Sequence, residues 1–217
     1  MQLIENDLGY DHILGKHDCQ DIIDWHLERI EDGTIQEHSA GTRPSGSDVP
    51  TSYDSTVRKG KTASAHGFPF ERDIIESIYD YSHQTAIRLF ELPEQLDNTK
   101  AFIPVNWQFT IYDSIGDHFK EHKDQDVGHH VNNWFKEQPH PHKWMYRKIS
   151  SSIQLSDPDT YEGCALQVRN KKEARMSPPA RQGSVIAFPS YADHIVTPLT
   201  SGTRYAMVGW FFGPQWR

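Results

Sequence analysis

His122-Lys123-Asp124 sets an imidazole and a carboxylate two residues apart. On an extended segment such residues point to the same side, so both can face one pocket. A third ligand must come from elsewhere. His194 fits, because Phe188-Pro-Ser-Tyr-Ala-Asp-His194 is a short connection after one apolar strand and before the last. Two imidazoles and one carboxylate hold a borderline divalent metal without reducing it. Around iron(II) they occupy one face and leave three positions open. A 2-oxo acid can fill two of these and dioxygen the third. Arg204 opens the last strand, where a guanidinium is costly to bury unless it meets an anion. A two-point grip on the far carboxylate of a dicarboxylic 2-oxo acid would satisfy it. Ala206, Val208 and Trp210 share the parity of Arg204, which predicts a charge set among apolar neighbours. A lone His-x-Asp would read as a surface histidine beside a turn residue. The added His194 and Arg204 give it meaning.

The elements that must position these groups follow from residue pattern. Asp18 is a candidate helix cap, with Ile22, Ile23, Leu27 and Ile30 on one side of the helix and Gly33 as its stop. Residues 39–66 are rich in Ser, Thr, Gly and Pro and predict loop with short strands. Ile74, Ile75, Ile78, Tyr81 and Leu89 recur at helical spacing and predict a second helix over 71–90, ended by Pro93. From Phe102 onward the pattern is that of strands: 106–112, 148–155, 165–168, 183–188 and 204–212. Turn signals separate them at 156–159, 162–163, 189–190 and 201–202. Helices first and short antiparallel strands after predict a mainly β fold buttressed by N-terminal helices. One oxygen-handling domain over 1–217 is expected, with 1–100 as helical and loop support and 101–217 as the β core.

Composition narrows the function classes. A chain of 217 residues is long enough for one sizeable core, and a net charge of −8 speaks against a broad phosphate-binding surface. Nucleic acid is therefore an improbable partner. The first residues carry no basic, apolar leader, and no stretch nears the roughly 18 apolar residues of a membrane span. Cys19 and Cys164, far apart, make no disulfide framework, and a reducing cytoplasm is the expected setting. His129-His130 and His140-Pro-His142 lie in a polar stretch without nearby cysteine. They lack zinc-module spacing, so residues 125–146 read as a loop over the site mouth. Arg58-Lys59-Gly60-Lys61 reads first as a solvated basic turn, and second as an entrance that meets an acidic substrate group. Trp210 reads as core.

Five segments also carry a family likeness. Tyr112-Asp-Ser-Ile-Gly-Asp-His-Phe-Lys-Glu-His122-Lys-Asp124 resembles the first metal motif of prolyl 4-hydroxylase-like Fe(II)/2-oxoglutarate-dependent oxygenases. Leu155 to Gly163 resembles their following strand and turn. Gly183 to Ser190, His194 to Pro198 and Gly202 to Trp210 resemble their closing section. The resemblance covers about residues 105–213, and it implies a double-stranded β-helix (jelly-roll) core. It also implies Fe(II) on His122, Asp124 and His194, the 2-oxoglutarate carboxylate on Arg204, and a cosubstrate hydrogen bond from Tyr112. Cys164 stands where the family usually has a second glycine, and Ser151 and Ile153 occupy a strand on which it often has a cosubstrate contact. The implied reaction consumes 2-oxoglutarate and O2, releases succinate and CO2 and hydroxylates an unactivated C–H bond, with ascorbate as a supporting reductant. Related halogenases have a small residue in place of the carboxylate, so Asp124 implies hydroxylation. A prolyl residue in a peptide or protein is the acceptor the resemblance favours. A free amino acid or other small metabolite is the main alternative within this chemistry. Outside it stand a cupin-like metal-binding module without turnover and a nucleic-acid demethylase.

Overall fold

In the computed structural model the described residues are 2–4, 8–40, 55–64, 66–78, 103–124, 145–169 and 174–214. Their strands, in chain order, are β1 (Gln2–Ile4), β2 (Leu8–His12), β3 (Glu37–Ser39), β4 (Arg58–Lys59), β5 (Lys61–Ser64), β6 (Ile103–Tyr112), β7 (His118–His122), β8 (Met145–Gln154), β9 (Tyr161–Gly163), β10 (Leu166–Arg169), β11 (Arg175–Met176), β12 (Ser184–Pro189), β13 (His194–Val196), β14 (Leu199–Gly202) and β15 (Arg204–Pro214). Helix α1 spans Lys16–Glu31, and residues 71–78 are the described part of a second helix. The larger antiparallel sheet has the order β1-β2-β12-β8-β15-β6-β5-β3. The smaller has the order β11-β10-β13-β7-β4, and β14 pairs with β9 apart from both. These sheets are the walls of the expected double-stranded β-helix.

The central strands of the larger sheet, β12, β8, β15 and β6, are buried on both faces, and alternation divides the labour. Phe109 and Ile111 of β6, Ile149 and Ile153 of β8, Val185 and Ala187 of β12, and Met207 and Phe211 of β15 pack in one cluster with Cys19, Ile22 and Ile23 of α1 and with Ile74 and Ile78. Each such apolar side chain contributes roughly 1.5–3 kcal/mol by leaving water. The intervening residues Thr110, Tyr112, Ser150, Ser152, Gln154, Arg204 and Trp210 are buried too, yet most carry polar groups. That second face is where chemistry can be housed.

Several expectations are refined. Asp18 does not cap α1 as its boundary residue. It is the third helical residue, and its carboxylate accepts the Gly15 N–H at 2.7 Å. Gly33 ends the helix at φ +78° with its N–H on the Ile30 carbonyl. The first hundred residues do more than buttress, since β1 and β2 extend one edge of the larger sheet, β3 and β5 the other, and β4 borders the smaller sheet. Residues 79–100, with Pro93, and residues 125–144, with the histidine pairs and most of the predicted loop, lie outside the described residues.

Gly183 ties α1 to the β core. Its carbonyl accepts Ile13 and Leu14 N–H, its own N–H donates to Gln154, and its φ is +81°. A Cβ there would collide with the Leu14 carbonyl. Gly183→Ala should cost roughly 2 kcal/mol or more and lower the thermal midpoint by about 5 °C or more. An unchanged midpoint would show the junction to be compliant.

His26 is fully buried, stacks on Phe109 at 4.3 Å between centroids, and donates Nδ1–H to the Ile22 carbonyl. Burial lowers its pKa from 6.5 to about 4. Between these values the unfolded chain binds the extra proton, so stability is full above 6.5 and falls as the pH drops toward 4. The loss approaches roughly 3 kcal/mol. Unfolding measured from pH 7 to 4 should show this slope, and His26→Phe should flatten it. A variant with the wild-type slope would acquit His26.

Candidate active site

β7 and β13 pair so that His122 faces His194 directly across the smaller sheet. Asp124 follows the end of β7, where its N–H donates to the Ser190 carbonyl at 3.1 Å. The ligand atoms of His122, Asp124 and His194 all lie within 4.8 Å of one another. His122 Nε2 is 3.7 Å from Asp124 Oδ1, and His194 Nε2 is 3.4 Å from Asp124 Oδ2.

Both imidazoles are held through the opposite nitrogen. His122 Nδ1 sits 2.7 Å from the Lys120 carbonyl and His194 Nδ1 sits 3.0 Å from the Ala192 carbonyl. A carbonyl only accepts, so each Nδ1 carries a proton, and the nitrogen left to bind a metal, Nε2, faces the cluster in both rings. Burial, assisted by His194, lowers the His122 pKa to about 4, which keeps its Nε2 lone pair free at neutral pH. His122 Nε2 is buried and makes no hydrogen bond, the signature expected of a metal-binding nitrogen. Phe119 stacks on the His122 ring at 3.5 Å and Phe188 lies 4.9 Å from His194.

Asp124 is nearly buried. Burial opposes its ionisation, but the neighbouring His194, His122 and Arg147 and the Ser150 hydroxyl hold its carboxyl well below the usual carboxylate range. Ser150 Oγ donates to Oδ2 at 2.6 Å and lies 2.9 Å from Ser190 Oγ. One hydroxyl has one proton, so Ser190 donates to Ser150 and Ser150 to the carboxylate. Two neutral nitrogens and one anionic oxygen, oriented from behind, form a donor set that suits a divalent transition metal.

Arg204 lies deeper, opposite Tyr112 in the β15–β6 register, its guanidinium 5.7 Å from the Tyr112 ring centroid. Its Nε donates to Gln154 Oε1 at 3.0 Å. Gln154 Nε2 in turn donates to the Ser156 carbonyl and to Tyr161 Oη, which fixes the amide's orientation. Burial raises Cys164 to about 11 and raises Tyr112 above its ordinary value, so both stay neutral. Among the described residues no carboxylate comes within ion-pair distance of Arg204. A buried cation ringed by neutral groups is a receptor for an anion.

The structure brings all five expected residues, Tyr112, His122, Asp124, His194 and Arg204, to the space between the two sheets. Four more belong there. Gln154 holds Arg204. Ser150 orients Asp124. Arg147 places Nη1 3.9 Å from Asp124 Oδ1 and its guanidinium 3.9 Å over the Trp210 ring. Trp210 therefore serves the site face of β15 and not the helix-packed core. Arg58, in the supposed solvated turn, is 8% exposed, and its guanidinium lies 4.6 Å over Phe119. Only Lys59 and Lys61 behave as that reading expected, pairing at the surface with Asp117 and with Asp113 and Glu37. Ile153 packs in the helix-side core and Ser151 donates to the Gly209 carbonyl, so neither faces the site. Parity with Ser150 would have pointed to Gln154. Cys164 takes φ +48° beside Gly163 at +74°, so the turn keeps its left-handed form without the second glycine.

Residues 107–212 match the family model described as the 2OG-Fe(II) oxygenase superfamily. A PKHD-type hydroxylase of Synechococcus sp. (strain CC9605) is 38% identical over 90 residues, which is 40% of this chain and 36% of the relative. The chain thus spans little more than a third of the length of the curated relatives it matches. A Pseudomonas putida prolyl-4-hydroxylase structure aligns with a TM-score of 0.61 at 14% identity, covering 97% of this chain and 94% of that one. A Trichoplax adhaerens prolyl hydroxylase, in complex with a hypoxia inducible factor oxygen degradation domain peptide fragment, aligns at 0.62 and 16% identity, covering 96% and 84%. Both carry the same fold. No helix among the described residues is long and apolar enough to cross a membrane.

Ser150→Ala removes the hydrogen bond behind Asp124 without touching a metal-facing atom. It should weaken Fe(II) binding by about 10-fold, the lower end of such outer-shell losses. Anaerobic competition against a chromophoric chelator measures this, and wild-type affinity in the variant would remove Ser150 from the site.

Proposed function

We propose that this chain, whose residues 107–212 match the family model described as the 2OG-Fe(II) oxygenase superfamily, hydroxylates an unactivated C–H bond with 2-oxoglutarate and O2 as cosubstrates. The observation that carries this reading is a metal-seeking His122, Asp124 and His194 set and a buried Arg204 that has no carboxylate partner among the described residues. The two are linked through Tyr112, which lies under Arg204 and packs with Phe119, and through Phe119, which stacks on His122.

His122, Asp124 and His194 hold Fe(II) in this proposal, through both Nε2 atoms and the carboxylate. When bound, Fe(II) with 2-oxoglutarate would supply the oxidising chemistry, with succinate and CO2 as the co-products. Arg204 takes the far carboxylate of the cosubstrate in a charge-assisted, two-point contact. Its Nε is already committed to Gln154, so the ends of the guanidinium remain for the ligand. Tyr112, kept as a phenol by burial, offers an O–H to the cosubstrate. Gln154 is a neutral anchor by necessity, since an acid there would neutralise Arg204 and compete with the ligand. The acceptor in this reading is a prolyl residue of a peptide or protein, supported by the PKHD-type and prolyl hydroxylase likenesses. Ascorbate supports turnover as a reductant.

The test counts succinate formed from 2-oxoglutarate with Fe(II), O2 and a panel of prolyl peptides, free amino acids and other small metabolites. At least one acceptor should raise succinate above the uncoupled level, and Arg204→Met should abolish the increase. Gln154→Glu should raise the KM for 2-oxoglutarate by about 10-fold or more, the worth of one charge-assisted contact. No succinate release with any acceptor would favour a metal-binding module without turnover.

A further inference from the structure

We propose that Arg58 and Arg147 form an anion subsite beside the metal-facing residues, and that the acceptor presents a carboxylate to it. The proposal rests on the iron and 2-oxoglutarate reading above and deepens it. Arg58 comes from the short β4, next to Phe119 of β7 in the sheet register. Its guanidinium lies 4.6 Å over the Phe119 ring, and that ring stacks 3.5 Å from His122, so the charge stands one aromatic layer from the metal-facing imidazole. Its Nε is buried and makes no hydrogen bond, and no carboxylate of the described residues comes within ion-pair distance. Arg147 lies on the far side of Asp124 with its guanidinium stacked on Trp210.

In the loaded site, Asp124 and one carboxylate of 2-oxoglutarate would offset the two positive charges of Fe(II), and the other carboxylate would offset Arg204. Asp117, the further buried acid near Tyr112, is engaged by Lys59 at 3.4 Å and by the backbone N–H groups of Asp113 and Ser114. Arg147 is at most half answered by Asp124 at 3.9 Å, an oxygen that also serves the metal. Among the described residues Arg58 is unanswered. An unpaired guanidinium at this depth is costly unless an anion arrives, and the remaining visitor to the cavity is the acceptor. A carboxylate on the acceptor would pair with Arg58 and swing its C–H bonds toward the metal-facing side of Asp124.

The test uses anaerobic protein loaded with Fe(II) and 2-oxoglutarate, titrated by calorimetry with N-acetyl-L-proline, its neutral amide, and acetate as a probe of charge alone. The acid should bind about 10-fold or more tightly than the amide, as one charge-assisted contact allows. Arg58→Met should erase that preference and Arg58→Lys should keep part of it. Both variants should bind 2-oxoglutarate within about twofold of wild type, which also certifies their folding. Equal binding of acid and amide, or no binding of acid or acetate, overturns the proposal. So does a loss of 2-oxoglutarate affinity in Arg58→Met, which would assign Arg58 to the cosubstrate. Failure of the wild type to bind 2-oxoglutarate would instead sink the parent reading.

Discussion

The site depends on one constraint, the cross-strand pairing of His122 with His194 and the two backbone carbonyls that take their Nδ1 protons. A buried neutral imidazole has one proton and one lone pair to place. Spending the proton on a carbonyl two residues back settles where the lone pair must point. The β7–β13 ladder then sets the two lone pairs near one another, and Asp124 completes the set because its own N–H is pinned to Ser190. Without this pairing the three side chains would be separate polar residues, each costly to bury.

Around that centre the fold separates two kinds of burial. One face of the larger sheet is an ordinary apolar core closed by α1, and it supplies rigidity. The other holds serines, a glutamine and arginines that would be liabilities in a closed core. Ser150 and Ser190 spend their protons on a carboxylate, and Gln154 spends its acceptor on Arg204. Arg204 and Arg58 retain charges that the described residues do not neutralise. Pre-arranged, uncompensated charge is what lets a cavity take up dianions and metal from water.

Much of this was legible in the sequence. The strand pattern of residues 106–112, 148–155, 183–188 and 204–212 reappears within a residue or a few at each end, because period-two alternation survives wherever one face is apolar. His122, Asp124, His194, Arg204 and Tyr112 were visible through spacing and likeness. What escaped was of another kind. β2 pairs with β12, far along the chain, and β1 and β11 are strands of three and two residues, too short for alternation to show. Arg58 looked like a surface turn because its neighbours Lys59 and Lys61 are surface residues, and only the register of β4 against β7 turns it inward. Ser150 and Gln154 are unremarkable by type, and their partners Asp124 and Arg204 are distant in sequence.

The central claim is that the imidazoles, Asp124 and Arg204 form one receptor for Fe(II) and 2-oxoglutarate together. Metal-free protein, kept anaerobic, should be given Fe(II) and then 2-oxoglutarate while visible absorption is recorded. A weak charge-transfer band that appears only with both, and is absent from His122→Ala, is the expected result. Tight Fe(II) binding with no band on adding 2-oxoglutarate would contradict the account, because the metal site would then stand without the carboxylate receptor that Arg204 is held to provide.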